Sequence, residues 1–394
     1  MRIWITALAD LARDKGSTRH LRELAAGLAA RGHQVTLFVS RESPLAAEPG
    51  IAPVPAPRVP LPGLRYFSGL VSFQLFLLAR LLRRARRERP DVLYGRHDAF
   101  LLAPALFAGW KKVPLVTELN GVLPFELRLR GHGRLGLAID RRIERFVYGR
   151  SRRVVAVAEG MKAYLTRDLG VDPAKVAVSA NGADLARFTP GESPEVRARL
   201  GARPGDVVVG YVGGLQPYQG VAPFLAAVGR LIGEGLPVRA LVVGGGAEEA
   251  PLRAAAGTGP LAGRVLMTGA VPYRDVPAYV RALDVGVLPK LRRVPGSPHE
   301  YSASPLKAFE YMACGKPIAA NDAPDFRFLA DCGAAVCAGV EDPAAFASAL
   351  RALVVSADLR ARMGEAGLRY AREHGSWDAS IGRVDAVLRE AVGK

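Results

Sequence analysis

The sequence predicts an α/β protein built from two doubly wound, Rossmann-like parallel-sheet domains. Three observations predict it. Residues 2–39 read as strand, loop, helix, strand, the repeating unit of a parallel sheet. A second such opening begins at Val207, after the turn-forming Thr189-Pro190-Gly191. The chain's 394 residues are also too many for one ordinary core, so two domains are the natural division. We place them at 1–190 and 191–375, with a terminal helix at 376–394.

Composition narrows the class. Hydrophobic residues make up 49% and charged residues 23%, which excludes a disordered chain. Three cysteines, Cys314, Cys332 and Cys337, are few, odd in number and not at metal-ligand spacing, so we expect no metal and a reduced, cytoplasmic setting. The first residues have no signal-peptide architecture. Charge is lopsided. Residues 1–190 hold 31 Lys+Arg against 16 Asp+Glu, net +15, and the remainder 23 against 21, net +2. A basic half beside a neutral half suggests that the first domain faces something anionic, such as a membrane surface or an anionic acceptor. Nucleic acid is not expected, because no aromatic–basic interleaving or groove-reading motif appears.

Along the first domain, residues 2–7 form a buried strand and 10–18 a polar loop containing Gly16. Leu21, Leu24, Ala25 and Leu28 share one helical face, and residues 34–39 return as a strand. No Gly-x-Gly-x-x-Gly follows the first strand, which argues against a dinucleotide site. Residues 51–62 are proline-rich and read as an extended loop. Residues 70–78 are apolar and 80–89 strongly basic. This run is far shorter than the ~20 residues needed to cross a bilayer. It fits either a helix lying on a membrane with its arginines toward lipid phosphates, or a core helix ending in a solvated basic turn. Residues 91–94 and 114–117 are strands flanking an apolar helix. Arg96, His97, Glu118 and Asn120 lie just past their ends, where parallel sheets bind ligands. For His97 a purely structural place is an equal reading. Residues 128–153 are helical and arginine-rich, with Ile143, Phe146 and Val147 as the buried face. Strands at 154–157 and 176–178 close the domain.

In the second domain, strands at 207–212, 240–243 and 265–268 each run into glycines: Gly213-Gly214, Gly244 to Gly246, and Gly269. A glycine-rich turn between strand and helix lets backbone approach a phosphate closely. After a strand at 284–289 comes the most informative stretch, residues 301–320. Ser304 suits an N-cap and Pro305 the first helical position. Leu306, Phe309 and Ala313 share a face, Gly315 stops the helix and Pro317 prevents its restart. The first turn offers unpaired N–H groups and the positive end of the helix dipole, so a phosphate fits there. Lys307 adds a mobile positive charge. Glu310 lies within reach of a sugar hydroxyl beside that phosphate. A diphosphate carrying a ribose would satisfy both.

Glu310-Tyr-Met-Ala-Cys-Gly-Lys-Pro317 resembles the nucleotide-sugar-binding helix of the family 4 retaining glycosyltransferases, which have the GT-B fold. The likeness continues in Asn181-Gly182-Ala183-Asp184 with Phe188, in Gly213-Gly214-Leu215, and in the glycine, Leu-Ala helix and Gly-His of the opening unit. The usual motif is Glu, seven residues, Glu. Here the first Glu position is Ser302, as in a subgroup with Ser-Pro-Leu-Lys-x-Phe-Glu-Tyr-Met.

The resemblance implies two Rossmann-like domains facing across a cleft, with the last helix packing back on the first. It implies transfer of a sugar from a UDP or GDP sugar to a saccharide or lipid-linked acceptor, with retention and without a metal. Donor contacts would come from Gly16, Gly213, Gly214, Gln219, Val271, Ser304, Pro305, Leu306, Lys307 and Glu310. Asn120, Lys307 and Glu310 would take part in catalysis, and Arg96, His97 and Glu118 would face the acceptor. Asn120 stands where many relatives have a histidine; it can bond a sugar hydroxyl but cannot act as a base at neutral pH. The family's phosphate-binding Arg and Lys are replaced here by Gly214 and Gln219. Lys307 is the candidate to restore that charge, with Lys290 and Arg292 as further helpers. A catalytically silent binding subunit would also explain the lost charges, and a nucleotide-sugar epimerase could share the fold.

Overall fold

The computed structural model describes residues 1–11, 16–41, 51–59, 65–129, 131–292, 302, 304 and 306–393. Two compact units emerge. The first comprises Met1–Asn181, Ser302–Ser304 and Trp377–Lys394; the second comprises Gly182–Tyr301 and Pro305–Ser376.

Among its described residues the first unit carries seven strands: β1 (Arg2–Asp10), β2 (Gln34–Arg41), β3 (Ile51–Pro55), β4 (Val92–Arg96), β5 (Leu115–Leu119), β6 (Arg153–Ala156) and β7 (Val176–Val178). They lie in the order β3-β2-β1-β4-β5-β6-β7, every pair parallel. Among its described residues the second unit carries six: β8 (Val207–Val212), β9 (Val238–Val243), β10 (Val265–Met267), β11 (Val285–Leu288), β12 (Ile318–Ala320) and β13 (Ala335–Cys337). Their order is β10-β9-β8-β11-β12-β13, again all parallel. Both sheets reverse direction of growth beside their first strand. The switch points fall between β1 and β4 and between β8 and β11, where such sheets take ligands beyond the strands' C-terminal ends.

The central strands are buried and rich in apolar residues, as parallel strands covered on both faces must be; the edge strands are only partly buried. β3 differs from the sequence expectation of a loop. Pro53 and Pro55 have no N–H to donate, but β3 is an edge strand with one neighbour, so alternate residues need no partner.

Helices Arg65–Ala85, Ala103–Lys111 and Arg134–Arg150 share one core with the sheet, through Phe73, Leu77, Phe107 and Val147 against Trp4 and Phe38. Trp4 stacks on Phe107 with ring centroids 5.8 Å apart. Helix Gly16–Ala30 instead packs on the last helix, Trp377–Val392. Polar bonds fix that pairing: His33 Nε2 lies 2.7 Å from Asp385 Oδ1, and Arg31 donates to Asp378 at 2.6 Å.

In the second unit, helix Val221–Gly233 packs on helix Pro343–Val355 through Phe224, Val228, Phe346 and Leu350. The turns after β8 and β9 approach each other closely. Gly244 has φ +135°, and a Cβ there would overlap the carbonyl oxygen of Gly213. A Gly244→Ala variant therefore meets both a left-handed backbone and a backbone collision. We expect it to lose about 2 kcal/mol or more of unfolding free energy, measured by urea titration.

Candidate functional site

The second-unit site is built around the turn that ends β8. Gly213 has φ +150°, and a Cβ on it would sit on Lys307 Cε. The missing side chain gives the lysine its place. Lys307 Nζ donates to Tyr211 Oη at 2.8 Å and to Gln219 Oε1 at 3.1 Å, and lies 4.6 Å from the Tyr211 ring centroid. Tyr211 in turn donates to the Gly214 carbonyl at 2.8 Å. Lys307 is thus not the mobile charge read from the sequence, but a cation seated beneath the Gly213-Gly214 turn. Burial pulls its pKa down to about 7, with Lys290 adding to the fall and Glu310 opposing it. Gln219, which stands where a basic residue was expected, serves as that cation's acceptor.

Helix Leu306–Ala313 is held in register by the tyrosine beside Glu310. Tyr311 Oη accepts from Val212 N–H at 2.8 Å, and Gly286 on β11 leaves room for its ring. Glu310 is buried and accepts from Tyr273 Oη at 2.9 Å. Tyr273 follows the turn that contains Val271, so one hydrogen bond ties that turn to Glu310. The Tyr273 ring also meets Phe188 at 5.9 Å, and the Arg187 guanidinium lies 5.9 Å from its centroid. Gly213, Gly214, Gln219, Lys307 and Glu310 therefore converge, and Tyr273 brings the Val271 turn to them. Leu306 and Val271 are half-buried and Gly214 is exposed. Pro305 lies outside the described residues. Ser304 Oγ accepts from Asn181 N–H at 3.3 Å.

Of the two further helpers, Lys290 is engaged elsewhere. Its Nζ lies 3.6 Å from Asp325 Oδ2; burial lowers its pKa to about 8 and Asp325 limits the fall. The Arg292 backbone N–H donates to Glu341 at 2.9 Å.

In the first unit the chemistry gathers on Glu118, at the end of β5 and fully buried. Its carboxylate lies 2.7 Å from His20 Nε2 and also accepts from Tyr94 Oη and from Asn120 Nδ2. Burial would raise its pKa, but His20, Arg96 and the Tyr94 hydroxyl outweigh burial and bring it to about 2. Asn120 spends its amide nitrogen on Glu118, which turns its oxygen the other way. His20 lies one helical turn beyond Gly16, the first residue of helix Gly16–Ala30, so the same carboxylate ties that helix start to Asn120. His97 is buried edge-on against Tyr148 with centroids 5.2 Å apart, and burial holds its pKa near 3. Glu118 and His97, read as acceptor contacts, thus lie beneath the surface. Among the described residues no group of three or more acidic, histidine or cysteine side chains is arranged to hold a metal ion.

Comparison with known proteins places this geometry. The model of Glycosyltransferase Family 4 matches residues 15–187, and that of Glycosyl transferases group 1 matches residues 206–356. The D-inositol 3-phosphate glycosyltransferase of Rhodococcus erythropolis is 30% identical over 96% of this chain and 87% of its own length. The chain belongs to glycosyltransferase family 4. The 2-deoxystreptamine N-acetyl-D-glucosaminyltransferase of Streptomyces fradiae is 33% identical over 66% of the chain and 63% of that protein. Among solved structures, sucrose-phosphate synthase from Thermosynechococcus elongatus aligns with a TM-score of 0.79 at 20% identity, covering 99% of this chain and 98% of that one. Anabaena HepE in complex with UDP aligns at 0.76 and 18% identity, covering 99% and 100%. These likenesses identify the GT-B fold.

His20, Tyr94, Tyr211 and Tyr273 were missed by sequence reasoning. Each carries an available signal: His20 and Tyr94 sit within a few residues of Gly16 and His97, Tyr211 two before Gly213, and Tyr273 two after Val271.

Two stability measurements check these assignments. Glu118→Ala leaves His20, Tyr94 and Asn120 without their common acceptor, and should cost about 3 kcal/mol or more by urea denaturation. Wild-type Glu118 has a lowered pKa, so its contribution is complete above about pH 4.5 and drains away toward about pH 2. Lys307 also has a lowered pKa, but there it is the charged form that burial disfavours. Between about pH 7 and its unfolded pKa of about 10.4, the unfolded chain holds the extra proton, so wild-type stability should rise with pH across that window. Lys307→Met should lack that rise, and its stability relative to wild type should be greatest at or below pH 7.

Proposed function

We propose that this chain transfers a sugar from a nucleoside diphosphate sugar, UDP- or GDP-linked, to a saccharide or lipid-linked acceptor with retention at the anomeric carbon. One observation carries the reading: Lys307 is fixed beneath the Gly213-Gly214 turn at the β8–β11 switch point, with Glu310 three residues on. That puts a positive charge and a carboxylate about one helical turn apart, the pair a diphosphate and its ribose would use. The relatives' names support an acceptor that is a polyhydroxylated ring, since one acts on an inositol phosphate and another on 2-deoxystreptamine.

Breaking the sugar–phosphate bond puts negative charge on the leaving diphosphate. Lys307, the turn's backbone and the first turn of helix Leu306–Ala313 oppose that charge, which grows in the transition state. A diphosphate beside Lys307 raises its pKa above about 7, so above neutral pH donor binding draws in a proton. Glu310 accepts from ribose hydroxyls, with Tyr273 holding its carboxylate. Asn120, its amide nitrogen committed to Glu118, offers oxygen to a sugar hydroxyl. The leaving phosphate takes the acceptor's proton, so neither a protein base nor a metal is required.

The test is a thermal-shift titration with UDP, GDP and ADP. One nucleotide should stabilise the chain by about 2.7 kcal/mol at a hundredfold excess over its Kd. Glu310→Ala should weaken that nucleotide at least tenfold. Between pH 7.5 and 9 its affinity should fall toward tenfold per pH unit in wild type and stay flat in Lys307→Met. Stabilisation by none of the three would reject the donor site and favour a silent subunit.

A further inference from the structure

Large exposed apolar side chains are not scattered over this molecule. Apart from Val59 and Val355, those among the described residues lie on helices Arg65–Ala85, Ala103–Lys111 and Arg134–Arg150. These three helices cover the same face of the first sheet, packing on one shared core. Gln74 Oε1 accepts from the backbone N–H of Leu102 at 2.7 Å and of Ala103 at 3.3 Å, fixing the first helix against the start of the second. Their outer sides therefore form one layer.

The pattern repeats on each helix. Val71, Leu75, Ala79 and Arg83 are exposed at four-residue steps along the first, with Phe76 beside them. Leu106 and Trp110 are exposed on the second, followed by Lys111 and Lys112; Lys111 Nζ lies 5.1 Å from the Trp110 ring. Leu135 and Ile139 are exposed on the third, followed by Arg142 and Arg145. The exposures are high: 64% for Leu75, 67% for Trp110, 75% for Leu135. The charge is of one sign. The first two helices contain no carboxylate, and the two on the third, Asp140 and Glu144, are buried. The excess of +15 in residues 1–190 thus has an outlet here uncompensated by any exposed acid on these helices.

We propose that this three-helix layer is a docking surface for an anionic lipid bilayer, with the apolar side chains entering the interface and the arginines and lysines meeting lipid phosphates. Apolar area and basic charge combined on one face are what interfacial binding requires. Trp110 has the amphipathic ring favoured at headgroup depth. No helix among the described residues is long and apolar enough to cross a membrane, so the contact is peripheral. An apolar layer of this kind could instead bury itself against a second copy, but the like charges would then face one another. The inference stands on the first unit alone and does not depend on the donor site.

The test is co-flotation of the full chain with vesicles of phosphatidylcholine alone and with one-third phosphatidylglycerol. The tryptophans supply a second readout, because Trp4 and Trp377 are buried and Trp110 is exposed. We expect binding to the anionic vesicles, weakened by salt, with a blue shift of tryptophan emission. Trp110→Phe should keep the binding and lose the shift. A Leu75→Asp, Trp110→Asp double variant should bind at least tenfold more weakly while melting like wild type, and Arg142→Glu with Arg145→Glu should reduce binding to anionic vesicles alone. Equal binding by the double variant, or no binding to anionic vesicles, overturns the proposal. So does sedimentation showing a dimer that the double variant abolishes and vesicles leave intact.

Discussion

Every strand among the described residues is paired parallel, and much else depends on that. Parallel neighbours cannot be joined by a tight turn, so helices such as Gly16–Ala30 and Val221–Gly233 cross a face of the sheet between strands. The crossovers cover both faces, which is why the strands are rich in Val, Ile, Leu and Ala. They also bring all the strand-to-helix turns to one edge of each sheet. Gly213-Gly214, Gln219, Lys290 and Lys307 are spread over nearly a hundred residues, yet all stand at the C-terminal edge of the second sheet. Gly16, Arg96, Glu118 and Asn120 have the same relation to the first.

The two edges treat buried charge in opposite ways. In the first unit a carboxylate without solvent stays ionised because a histidine, a tyrosine, an asparagine and a nearby arginine all turn toward it. It serves as an anchor whose value lies in what it orients. In the second unit the partners of Lys307 within hydrogen-bond reach among the described residues are neutral, the Tyr211 hydroxyl and the Gln219 amide. Its charge is therefore poorly compensated until an anion arrives. Lys290, a short distance away along the same edge, has Asp325 and so has less to gain from an anion. A cation kept short of compensation is destabilising to the empty fold and useful to an anionic ligand, a trade often met at binding sites.

The architecture was legible because its signals are local. Strand–turn–helix punctuation by Gly32, Gly213, Gly244 and Gly315 marks element ends that the structure shows within a few residues. β3 was hidden because proline is a loop signal, and only pairing with β2 makes it an edge strand. The helix motif around Glu310 was also legible, being contiguous. What escaped were partners from other elements: Tyr273 for Glu310, Tyr211 for Lys307, His20 and Tyr94 for Glu118. Sequence spacing carries no record of contacts made across a sheet edge. For the same reason Lys307 was read as flexible, since nothing in its own helix reveals the glycine that makes room for it.

The helix Trp377–Val392 belongs to the first unit, though nearly two hundred residues of the second precede it in the chain. Synthesis therefore delivers the two units out of step. The first half of the chain leaves the ribosome with the side of helix Gly16–Ala30 that will receive Ile381 still open to water, and with His33 lacking its carboxylate partner. The second unit has its whole sequence available before the first can be closed. Residues 377–392 act as a clasp, and the first unit reaches its finished form only after the second has been made.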